Sequence, residues 1–512
     1  MLKASPDSRQ EGILPEKGEP FDLLVIGGGI NGVGIAVDAA GRGLSVCLCE
    51  QHDLASHTSS GSSKLIHGGL RYLEHYEFRL VREALTEREV LLSKAPHIIW
   101  PLRFVLPHRP HLRPRWMLRA GLFLYDSLGK RTRLPASRAL RLNGQGPLQP
   151  EMTHAFEYSD CWVDDARLVV LNAMQARSLG ADIRLHTRCV SARRGAGLWQ
   201  VELEQAGAQQ HVTARALVNA TGPWTARVVE RVVAERSPHG VRLVQGSHIV
   251  VPRLHLGEHA YILQNEDGRI VFVLPYEQKF SLVGTTDLDY QGDPAASAPT
   301  AEEELYLLSV LNRHFKRQTR EEDILHRFAG VRPLVDDLDD DPAAVTRDYS
   351  LTLESKDGQA PLLCVFGGKL TTYRRLAEAA MTRLAPWFRM APAWTAQQTL
   401  PGGNFDSQAQ LTEQLADEYP WLSSEQLQRY VRSYGTLSQM FLRGSLGPQD
   451  LGEHFGAGLT EREIKYLREQ EWAQSLEDIL WRRSKLGLHL TETEQARLAD
   501  YLAQLTEVSP PI

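Results

Sequence analysis

One stretch of the chain concentrates side chains that can do chemistry, because residues 59–78 read SSGSSKLIHGGLRYLEHYEF. Hydroxyl groups open it, and two cations, an imidazole and a phenol follow within nine residues: Lys64, His67, Arg71 and Tyr72. The adjacent glycines, Gly68 and Gly69, let the backbone pass close to a planar group where side chains would collide. This combination favours a site that holds an anion beside a flat ring.

A glycine-rich turn lies upstream, in residues 21–50, FDLLVIGGGINGVGIAVDAAGRGLSVCLCE. The apolar run before the glycines predicts a strand, and the small and apolar residues after them predict a helix. A second strand ends at Glu50, about 20 residues on, where a carboxylate can bind a ribose hydroxyl. The pattern predicts dinucleotide binding: Gly27 makes the tight turn, Gly29 admits the pyrophosphate and Gly32 allows helix and strand to pack closely.

Two later segments favour FAD over NAD as the dinucleotide. ARALVNATGPW at residues 214–224 and PLLCVFGGKLTTYRRLAEAA at 361–380 each begin as an apolar strand that breaks at glycine. In the second segment, Thr371 or Thr372 is expected to cap a helix, whose N-terminal amides would stabilise a negatively charged reduced flavin. A chain that returns so late to its nucleotide domain suits a long, buried FAD.

Composition limits the class of protein. A chain of 512 residues with 42% hydrophobic and 23% charged residues predicts a soluble globular protein of two or three domains. The net charge of −6 argues against a nucleic-acid partner. Five scattered cysteines favour a reduced cytoplasm, and Cys47 and Cys49 are interpreted as strand core, so no metal site is predicted. Residues 1–20 are interpreted as a disordered tail, and neither a signal peptide nor a transmembrane helix is expected.

Together the motifs resemble those of the aerobic, FAD-dependent glycerol-3-phosphate dehydrogenases. The resemblance rests on IGGGINGVGIAVDAAGRGLSV, TSSGSSKLIHGGLRYLEHYEF, YSDCWVDDARL, VNATGPW, GSHIVV, ILQNEDGRIVFVLPY, GTTD, GVRPL, RDY and FGGKLTTYR, in the family's order. No EF-hand loop follows near the C-terminus, so the chain resembles the bacterial type. The resemblance implies an α/β fold with a Rossmann-like FAD domain of the D-amino-acid-oxidase type, an antiparallel β substrate domain and a C-terminal α-helical domain.

The expected domain boundaries follow the order of the motifs. Residues 21–95, 150–235 and 351–395 are assigned to the FAD domain, 96–149 to a membrane-facing segment, 236–350 to the substrate domain and 400–505 to the C-terminal domain. Within 236–350, strands are expected to turn at NEDG and YEQK.

The resemblance also implies site residues. FAD is expected to bind noncovalently through the glycine turn, the hydroxyl-rich stretch and the return strand: Gly27, Gly29, Asn31, Gly32, Glu50, Ser59, Ser62, Ser63, Lys64, His67, Val190, Gly222, Gly368, Lys369, Leu370 and Thr371. Its substrate would be sn-glycerol 3-phosphate, a dianion that needs several cations when it is held out of water. The expected substrate ligands are Arg71, Tyr72, His248, Arg332 and Lys369.

The implied reaction is hydride transfer from C2 of the substrate to the flavin, which yields dihydroxyacetone phosphate. A histidine near its ordinary pKa would take the hydroxyl proton. His248 is the first candidate and His67 the second, and Arg332 is expected to lie at the reacting centre.

The sequence of residues 101–133 predicts a segment that binds a membrane surface. Eight cations, namely Arg103, Arg109, Arg113, Arg115, Arg119, Lys130, Arg131 and Arg133, accompany a single acid, Asp126. Pro114 is expected to open a short amphipathic helix and Gly129 to close it, with Trp116 and Tyr125 at a surface of anionic lipid. The resemblance implies a homodimer bound peripherally to the inner face of the cytoplasmic membrane, with ubiquinone or menaquinone as electron acceptor.

Other functions remain open. A glycerol-3-phosphate oxidase that uses O2 would have the same substrate site. Another amine or 2-hydroxy-acid oxidoreductase would need an arginine for a carboxylate but no extra lysine for phosphate. A noncatalytic flavoprotein or an FAD-dependent RNA-modifying factor would need a basic surface, which the net charge does not favour.

Overall fold

A computed structural model describes residues 18–73, 76–109, 114–129, 132–335, 348–355 and 358–508, without the side chains of Arg71 and of residues 506–508. Nearly all of the tail predicted over residues 1–20 lies outside the described residues. The described chain forms two large sheets and a C-terminal helical domain.

The strands are, in chain order, β1 (Phe21–Ile26), β2 (Val46–Cys49), β3 (Leu65–Ile66), β4 (Ile99–Pro107), β5 (Arg138–Arg141), β6 (His154–Val163), β7 (Asp182–Arg184), β8 (Thr187–Gly195), β9 (Leu198–Gln205), β10 (Ala208–Asn219), β11 (Val241–Pro252), β12 (Ala260–Gln264), β13 (Ile270–Tyr276), β14 (Phe280–Gly284), β15 (Leu288–Asp289), β16 (His326–Val335), β17 (Ser350–Glu354), β18 (Leu362–Phe366), β19 (His454–Gly456) and β20 (Leu459–Thr460).

The α-helices are α1 (Ile30–Gly41), α2 (Phe78–Lys94), α3 (Arg115–Leu128), α4 (Asp165–Ser178), α5 (Thr225–Val228), α6 (Ala301–His314), α7 (Tyr373–Leu384), α8 (Gln408–Glu418), α9 (Ser424–Tyr434), α10 (Gln439–Leu442), α11 (Glu461–Glu471) and α12 (Glu492–Val508). Short 3-10 turns separate several of them, including one at Leu70–Leu73 and one at Leu370–Thr372.

The first sheet is built around β1, with the path β17-β18-β10-β1-β2-β7 and with β8 and β9 continuing from β10. The apolar residues of β1 are buried on both faces, as is typical of a parallel strand covered by helices. β1 runs parallel to β2 and β10, and α1 packs against α4 and α7. The predicted strand–helix–strand unit is therefore present, and Cys47 and Cys49 are buried in β2 as expected.

The second sheet follows the path β15-β11-β14-β13-β12-β4-β6-β3, with β16 beside β11 and β5 beside β6. Its strands pair antiparallel except β12 and β4, which are parallel. The turns predicted at NEDG and YEQK join β12 to β13 and β13 to β14. The sheet extends beyond residues 236–350, because β3, β4 and β6 join it from segments that the sequence assigned to the FAD domain and the membrane-facing segment.

The C-terminal domain has a core of its own, formed by apolar and aromatic side chains of α8 to α12. Buried ion pairs attach it to the part of the chain that forms the first sheet and its helices. Arg167 in α4 pairs with Glu471 in α11, and neither side chain is exposed to solvent. Asp53 likewise accepts from Arg483 of the C-terminal domain. Breaking one such buried pair typically costs about 3–5 kcal/mol, so these contacts fix the orientation of the two domains.

Candidate active site

A cavity of about 700 Å³ lies between the carboxyl ends of the central parallel strands and the second sheet. This position, at the ends of β1, β2 and β10, is where open α/β sheets bind their ligands. The walls come from the glycine turn, from residues 55–72, from β16 and from the turn after β18.

The turn from β1 into α1 needs glycine at several points. Gly27 has a φ of 116°, which side chains rarely allow. A Cβ on Gly32 would lie 1.9 Å from the carbonyl oxygen of Gly27, so no side chain fits there. Gly29 precedes α1 without a side-chain cap, and the amide of Ile30 donates to Oγ of Ser59 at 3.0 Å. The helix N-terminus therefore opens on the cavity and suits a pyrophosphate.

Glu50 lies at the end of β2, where the sequence predicted a ribose ligand. Its carboxylate accepts from the backbone amides of Gly28 at 2.7 Å and His52 at 2.8 Å. Burial raises the pKa of Glu50, although these amides oppose the shift. The carboxylate lines the cavity beside the glycine turn, as a ribose ligand should.

The return strand β18 closes the cavity from the other side. After it, Gly367 and Gly368 have φ values of 75° and 104°. Nδ2 of Asn31 donates to the carbonyl of Gly367 at 3.1 Å, and a Cβ on Gly368 would lie 2.7 Å from the same nitrogen. The remaining predicted cofactor residues of this region also line the cavity: Val190, Gly222, Leu370 and Thr371.

The predicted side-chain cap of the following helix is wrong. Thr372 occupies the position before α7, but its hydroxyl makes no capping bond. The hydroxyl of Thr371 instead lies 3.4 Å from the amide of His67. A 3-10 turn, Leu370–Thr372, precedes α7, and its Thr371 hydroxyl contacts the strand side of the cavity at His67 and not the helix amides.

Lys369 and Arg332 are two of the cationic side chains that line the cavity. The ammonium of Lys369 is buried and has no hydrogen-bond partner among the described residues, and it lies 4.1 Å from the ring centroid of Tyr72. The guanidinium of Arg332 donates to Oγ1 of Thr285 at 2.9 Å and pairs with Asp287. Both cations line the cavity, as does Tyr72. The side chain of Arg71 is outside the described part of the chain.

The two candidate histidines differ in their access to the cavity. His67 lines the cavity and meets Phe272 edge to face, with ring centroids 6.2 Å apart. His248 is only 1% exposed and stacks on Phe328, and its Nε2 lies 2.9 Å from Oγ of Ser63. Ser63 lines the cavity, so His248 reaches it through that hydroxyl.

The expectation that His248 titrates near its ordinary pKa is wrong. Burial, reinforced by the charges of Arg332 and Lys64, lowers the pKa of His248 to about 3. The imidazole is therefore neutral throughout the physiological range, and it is a weak base.

Lys64 does not present its charge to the main cavity. Its ammonium donates to Asp165 at 2.8 Å and to the carbonyl of Ser60 at 3.1 Å, and the side chain is 3% exposed. Ser62, also predicted to bind FAD, donates its hydroxyl to Asp165 at 2.7 Å but still lines the cavity. The cation stabilises the turn from within, because a buried ammonium needs a carboxylate partner.

Sequence reasoning missed several residues in the cavity wall or directly behind it. His57 lies edge to face with Trp224 at 4.9 Å, and burial lowers its pKa to about 4. Thr285 and Asp287 hold the guanidinium of Arg332. The motif TGPW contains Trp224, and the motif GTTD contains Thr285 and Asp287, so these motifs could have indicated them. No motif or spacing indicated His57.

The residues that line the cavity fit FAD. The glycine turn and Glu50 provide a place for pyrophosphate and ribose, and the glycines after β18 leave room for a flat ring. Oδ1 of Asn31 and Nζ of Lys369 are buried there without a partner among the described residues, as expected of groups that bind a ligand. In the described ranges no group of three His, Cys, Asp or Glu side chains could hold a metal ion.

Family comparisons agree with this geometry. Residues 22–374 match the family described as FAD dependent oxidoreductase, and residues 393–508 match the C-terminal domain of alpha-glycerophosphate oxidase. The chain therefore belongs to the FAD-dependent oxidoreductases, and the predicted fold class and FAD cofactor are confirmed.

Its relatives are more specific. A glycerol-3-phosphate dehydrogenase of Pseudomonas aeruginosa is 64% identical over 94% of this chain and 95% of the relative. The aerobic glycerol-3-phosphate dehydrogenase of Escherichia coli is 54% identical, covering 96% and 98%. D-erythritol 1-phosphate dehydrogenase of Brucella abortus is 52% identical, covering 94% and 98%. A glycerol-3-phosphate dehydrogenase from Bacillus halodurans, solved with FAD, superimposes with a TM-score of 0.74 at 26% identity, covering 96% of this chain and 92% of that chain.

We predict that FAD is held noncovalently and that Gly29→Val abolishes its retention. Gly29 has an ordinary φ of −80°, so its backbone accepts a side chain, but the Cβ would lie 3.2 Å from Oγ of Ser59 and the rest of the side chain would enter the cavity where the pyrophosphate is expected. Acid precipitation of the parent protein should release all the yellow colour, and the variant should purify colourless with a parental circular dichroism spectrum.

Gly195→Val is the matched control, because a Cβ there meets only Cγ of Gln200 at 3.6 Å on an outer strand of the same sheet. Colour that stays on the precipitated parent, or a yellow Gly29→Val protein, contradicts the prediction.

Proposed function

We propose that the protein oxidises sn-glycerol 3-phosphate to dihydroxyacetone phosphate and passes the electrons to a membrane quinone, either ubiquinone or menaquinone. The observation that supports the substrate is the buried ammonium of Lys369, which has no hydrogen-bond partner among the described residues and lines the same cavity as Arg332. A buried cation without a partner is costly, and a bound phosphate dianion would relieve that cost.

The two cations come from different elements, so they can contact different oxygens of one phosphate. Arg332 lies on β16, and Lys369 follows β18. Asp287 offsets part of the charge of Arg332, whereas the ammonium of Lys369 has no carboxylate partner in the part of the chain that the structure describes. The ammonium of Lys369 lies over the ring of Tyr72, so the hydroxyl of Tyr72 can donate to the same phosphate. This arrangement favours a phosphomonoester over a carboxylate or an uncharged alcohol.

When bound, FAD supplies the acceptor for the hydride that leaves C2 of the substrate. The chain itself must take the hydroxyl proton, and two histidines are available. We propose His67 as the general base, because it lines the cavity and can approach the substrate directly. His248, which reaches the cavity through Ser63, fixes that hydroxyl and is too weak a base for the main role.

The surface of α3 supports the proposed membrane contact in part. The helix spans the predicted interval, with Pro114 before it and Gly129 after it. Trp116 is 73% exposed and Phe123 is 66% exposed, an arrangement that suits insertion at a lipid surface. No helix in the described ranges is both long and apolar enough to cross a bilayer.

Other features of this segment differ from the prediction. Tyr125 is 2% exposed, because its hydroxyl binds inside the protein, so it does not lie at the surface. Arg103 pairs with Glu157 at 2.6 Å, so its charge is partly neutralised within the protein and is less available to anionic lipid. Arg113, Lys130 and Arg131 lie outside the described residues.

Two alternatives have specific support. The relative from Brucella abortus is named for D-erythritol 1-phosphate, a longer polyol phosphate that presents the same phosphate to the cations. The match of residues 393–508 to the C-terminal domain of alpha-glycerophosphate oxidase supports O2 as an alternative electron acceptor. The homodimer implied by the resemblance stays a prediction.

We predict that Arg332→Ala, Lys369→Met and Arg71→Ala each raise the KM for sn-glycerol 3-phosphate at least about tenfold, because each loses a charge-assisted bond worth about 2–3 kcal/mol. The measurement is dye-coupled steady-state kinetics, with the flavin spectrum as a check that FAD stays bound.

Arg242→Ala is the control for phosphate recognition, since Arg242 lies on the neighbouring β11 but pairs with Asp289 outside the cavity. If Arg332→Ala and Lys369→Met keep the parental KM, the phosphate binds elsewhere.

We predict that His67→Asn slows flavin reduction about a hundredfold or more, as expected for loss of a general base, whereas His248→Asn has a smaller effect. Anaerobic stopped-flow measurement of the decay of flavin absorbance, at saturating substrate, compares the two variants. A larger loss in His248→Asn would assign the base to His248 and its Ser63 contact.

We predict that Trp116→Ser combined with Phe123→Ser lowers binding to phosphatidylglycerol vesicles at least about tenfold, because two exposed apolar side chains no longer enter the lipid. Sedimentation with vesicles measures the bound fraction, and dye-coupled substrate oxidation should stay parental.

Leu305→Ser is the control for membrane binding, because Leu305 is 59% exposed on α6, away from the proposed lipid surface. Equal vesicle binding by the parent and the double variant would exclude α3 as the contact.

A further inference from the structure

A buried polar contact joins α3 to the cavity wall. We name residues 67–72 the strap, since this segment presents His67 and Tyr72 to the cavity. The backbone amide of Gly68, in the strap, donates to Oη of Tyr125 in α3 at 2.8 Å. A Cβ on Gly68 would lie 2.6 Å from that hydroxyl and 2.5 Å from Cδ2 of Leu85, so only glycine allows the contact.

The hydroxyl of Tyr125 is itself held in place by charge. It lies 2.8 Å from both carboxylate oxygens of Asp160 in β6, and Arg88 in α2 pairs with Asp160 at 2.6 Å. All three side chains are 2% exposed. Arg88 also donates to the carbonyl of Ser159 at 2.8 Å, which fixes the guanidinium against the strand. Side chains from α2, β6 and α3 therefore form one connected set of polar contacts that ends at the amide of Gly68 in the strap.

The direction of these bonds is determined by the proton on Tyr125. Burial, with the negative charge of Asp160 beside it, raises the pKa of Tyr125 well above its usual range. The hydroxyl therefore keeps its single proton, donates it to Asp160, and offers a lone pair to the amide of Gly68. Phenylalanine could pack in the same space, but it could not accept the amide bond.

None of Tyr125, Asp160 and Arg88 lines the cavity. The bond from the amide of Gly68 to Tyr125 is a direct contact between these residues and the strap. The peptide bond that Tyr125 holds lies between His67 and Gly68, so it determines where the imidazole of His67 stands. On the opposite side, the hydroxyl of Thr371 approaches the same residue at 3.4 Å from its amide, which is a much weaker restraint.

We propose that Tyr125, oriented by the Asp160–Arg88 pair, is a positioning residue that holds the strap so that His67 faces the substrate. This inference rests on the proposed function insofar as His67 is the base. Two of the proposed phosphate ligands, Arg332 and Lys369, lie outside the strap, on β16 and in the turn after β18, whereas Arg71 and Tyr72 lie at its far end from the amide that Tyr125 binds. Loss of the Tyr125 hydroxyl therefore affects the rate more than the affinity.

The test is Tyr125→Phe in the FAD-loaded protein. Flavin reduction should slow about tenfold, because small displacements of a catalytic group are costly. The KM for sn-glycerol 3-phosphate should change by a smaller factor than the rate, because Arg332 and Lys369 lie outside the strap and are untouched. Deuterium uptake by the peptide that covers residues 65–73, measured by mass spectrometry, should increase because the amide of Gly68 loses its nearer acceptor, at 2.8 Å, and keeps the longer 3.4 Å contact with Oδ1 of Asp160.

Tyr158→Phe is the matched control. Tyr158 is 2% exposed, lies in the same aromatic cluster with its ring 5.8 Å from that of Tyr125, and stacks on Phe104. It is on β6, two residues before Asp160, but it makes no bond to the strap among the described contacts. This variant should keep parental rates and parental uptake in the strap peptide.

Three results overturn the inference. Parental reduction rates in Tyr125→Phe show that the contact does not serve the reaction, whatever the uptake. Parental uptake in the strap peptide shows that Tyr125 does not hold it. Equal losses of thermal stability and rate in both tyrosine variants assign Tyr125 to packing alone. If the parent protein is not reduced by the substrate, the proposed function fails, and the uptake measurement still decides whether Tyr125 holds the strap.

Discussion

The hydrogen bond from Nδ2 of Asn31 to the carbonyl of Gly367, 3.1 Å long, joins the two turns between which the cofactor must lie. One turn follows β1 near the start of the chain. The other follows β18, which comes after all the strands of the second sheet in the sequence. Both strands belong to one sheet, with β10 between them, so the two turns meet at the same edge. Without this closure the glycine turn would bind a pyrophosphate but would have no site for the flavin ring.

The charges of the cavity follow from the same closure. The turn after β18 brings the ammonium of Lys369 to a buried position where no described residue gives it a hydrogen bond, so it adds positive charge to the site. Arg332 and Lys64 are balanced by Asp287 and Asp165. The charge of Lys369 selects an anionic substrate, and the surrounding cations and burial keep His248 neutral. The outer face of α3 meets solvent while its inner face holds the strap, so a surface proposed for lipid lies one helix away from the site.

Local patterns predicted local structure well. A few neighbouring residues were enough to recognise the glycine triplet, the proline and glycine that bound α3, and the arginine in GVRPL. Long-range pairing was not predictable. Lys64 looked like a cofactor ligand because its partner, Asp165, lies on a distant helix, and Tyr125 looked like an interfacial residue because Asp160 lies on another strand. The low pKa of His248 likewise depends on burial that no spacing reports.

The geometry and the relatives together point to a cationic cavity in which FAD oxidises a polyol phosphate. The most direct measurement is anaerobic titration of the yellow protein, followed by flavin absorbance. We expect sn-glycerol 3-phosphate to bleach the flavin rapidly, D-erythritol 1-phosphate to bleach it more slowly, and glycerol without phosphate to leave it oxidised. Bleaching by glycerol as fast as by its phosphate, or a yellow colour that persists with both phosphates, would contradict the account.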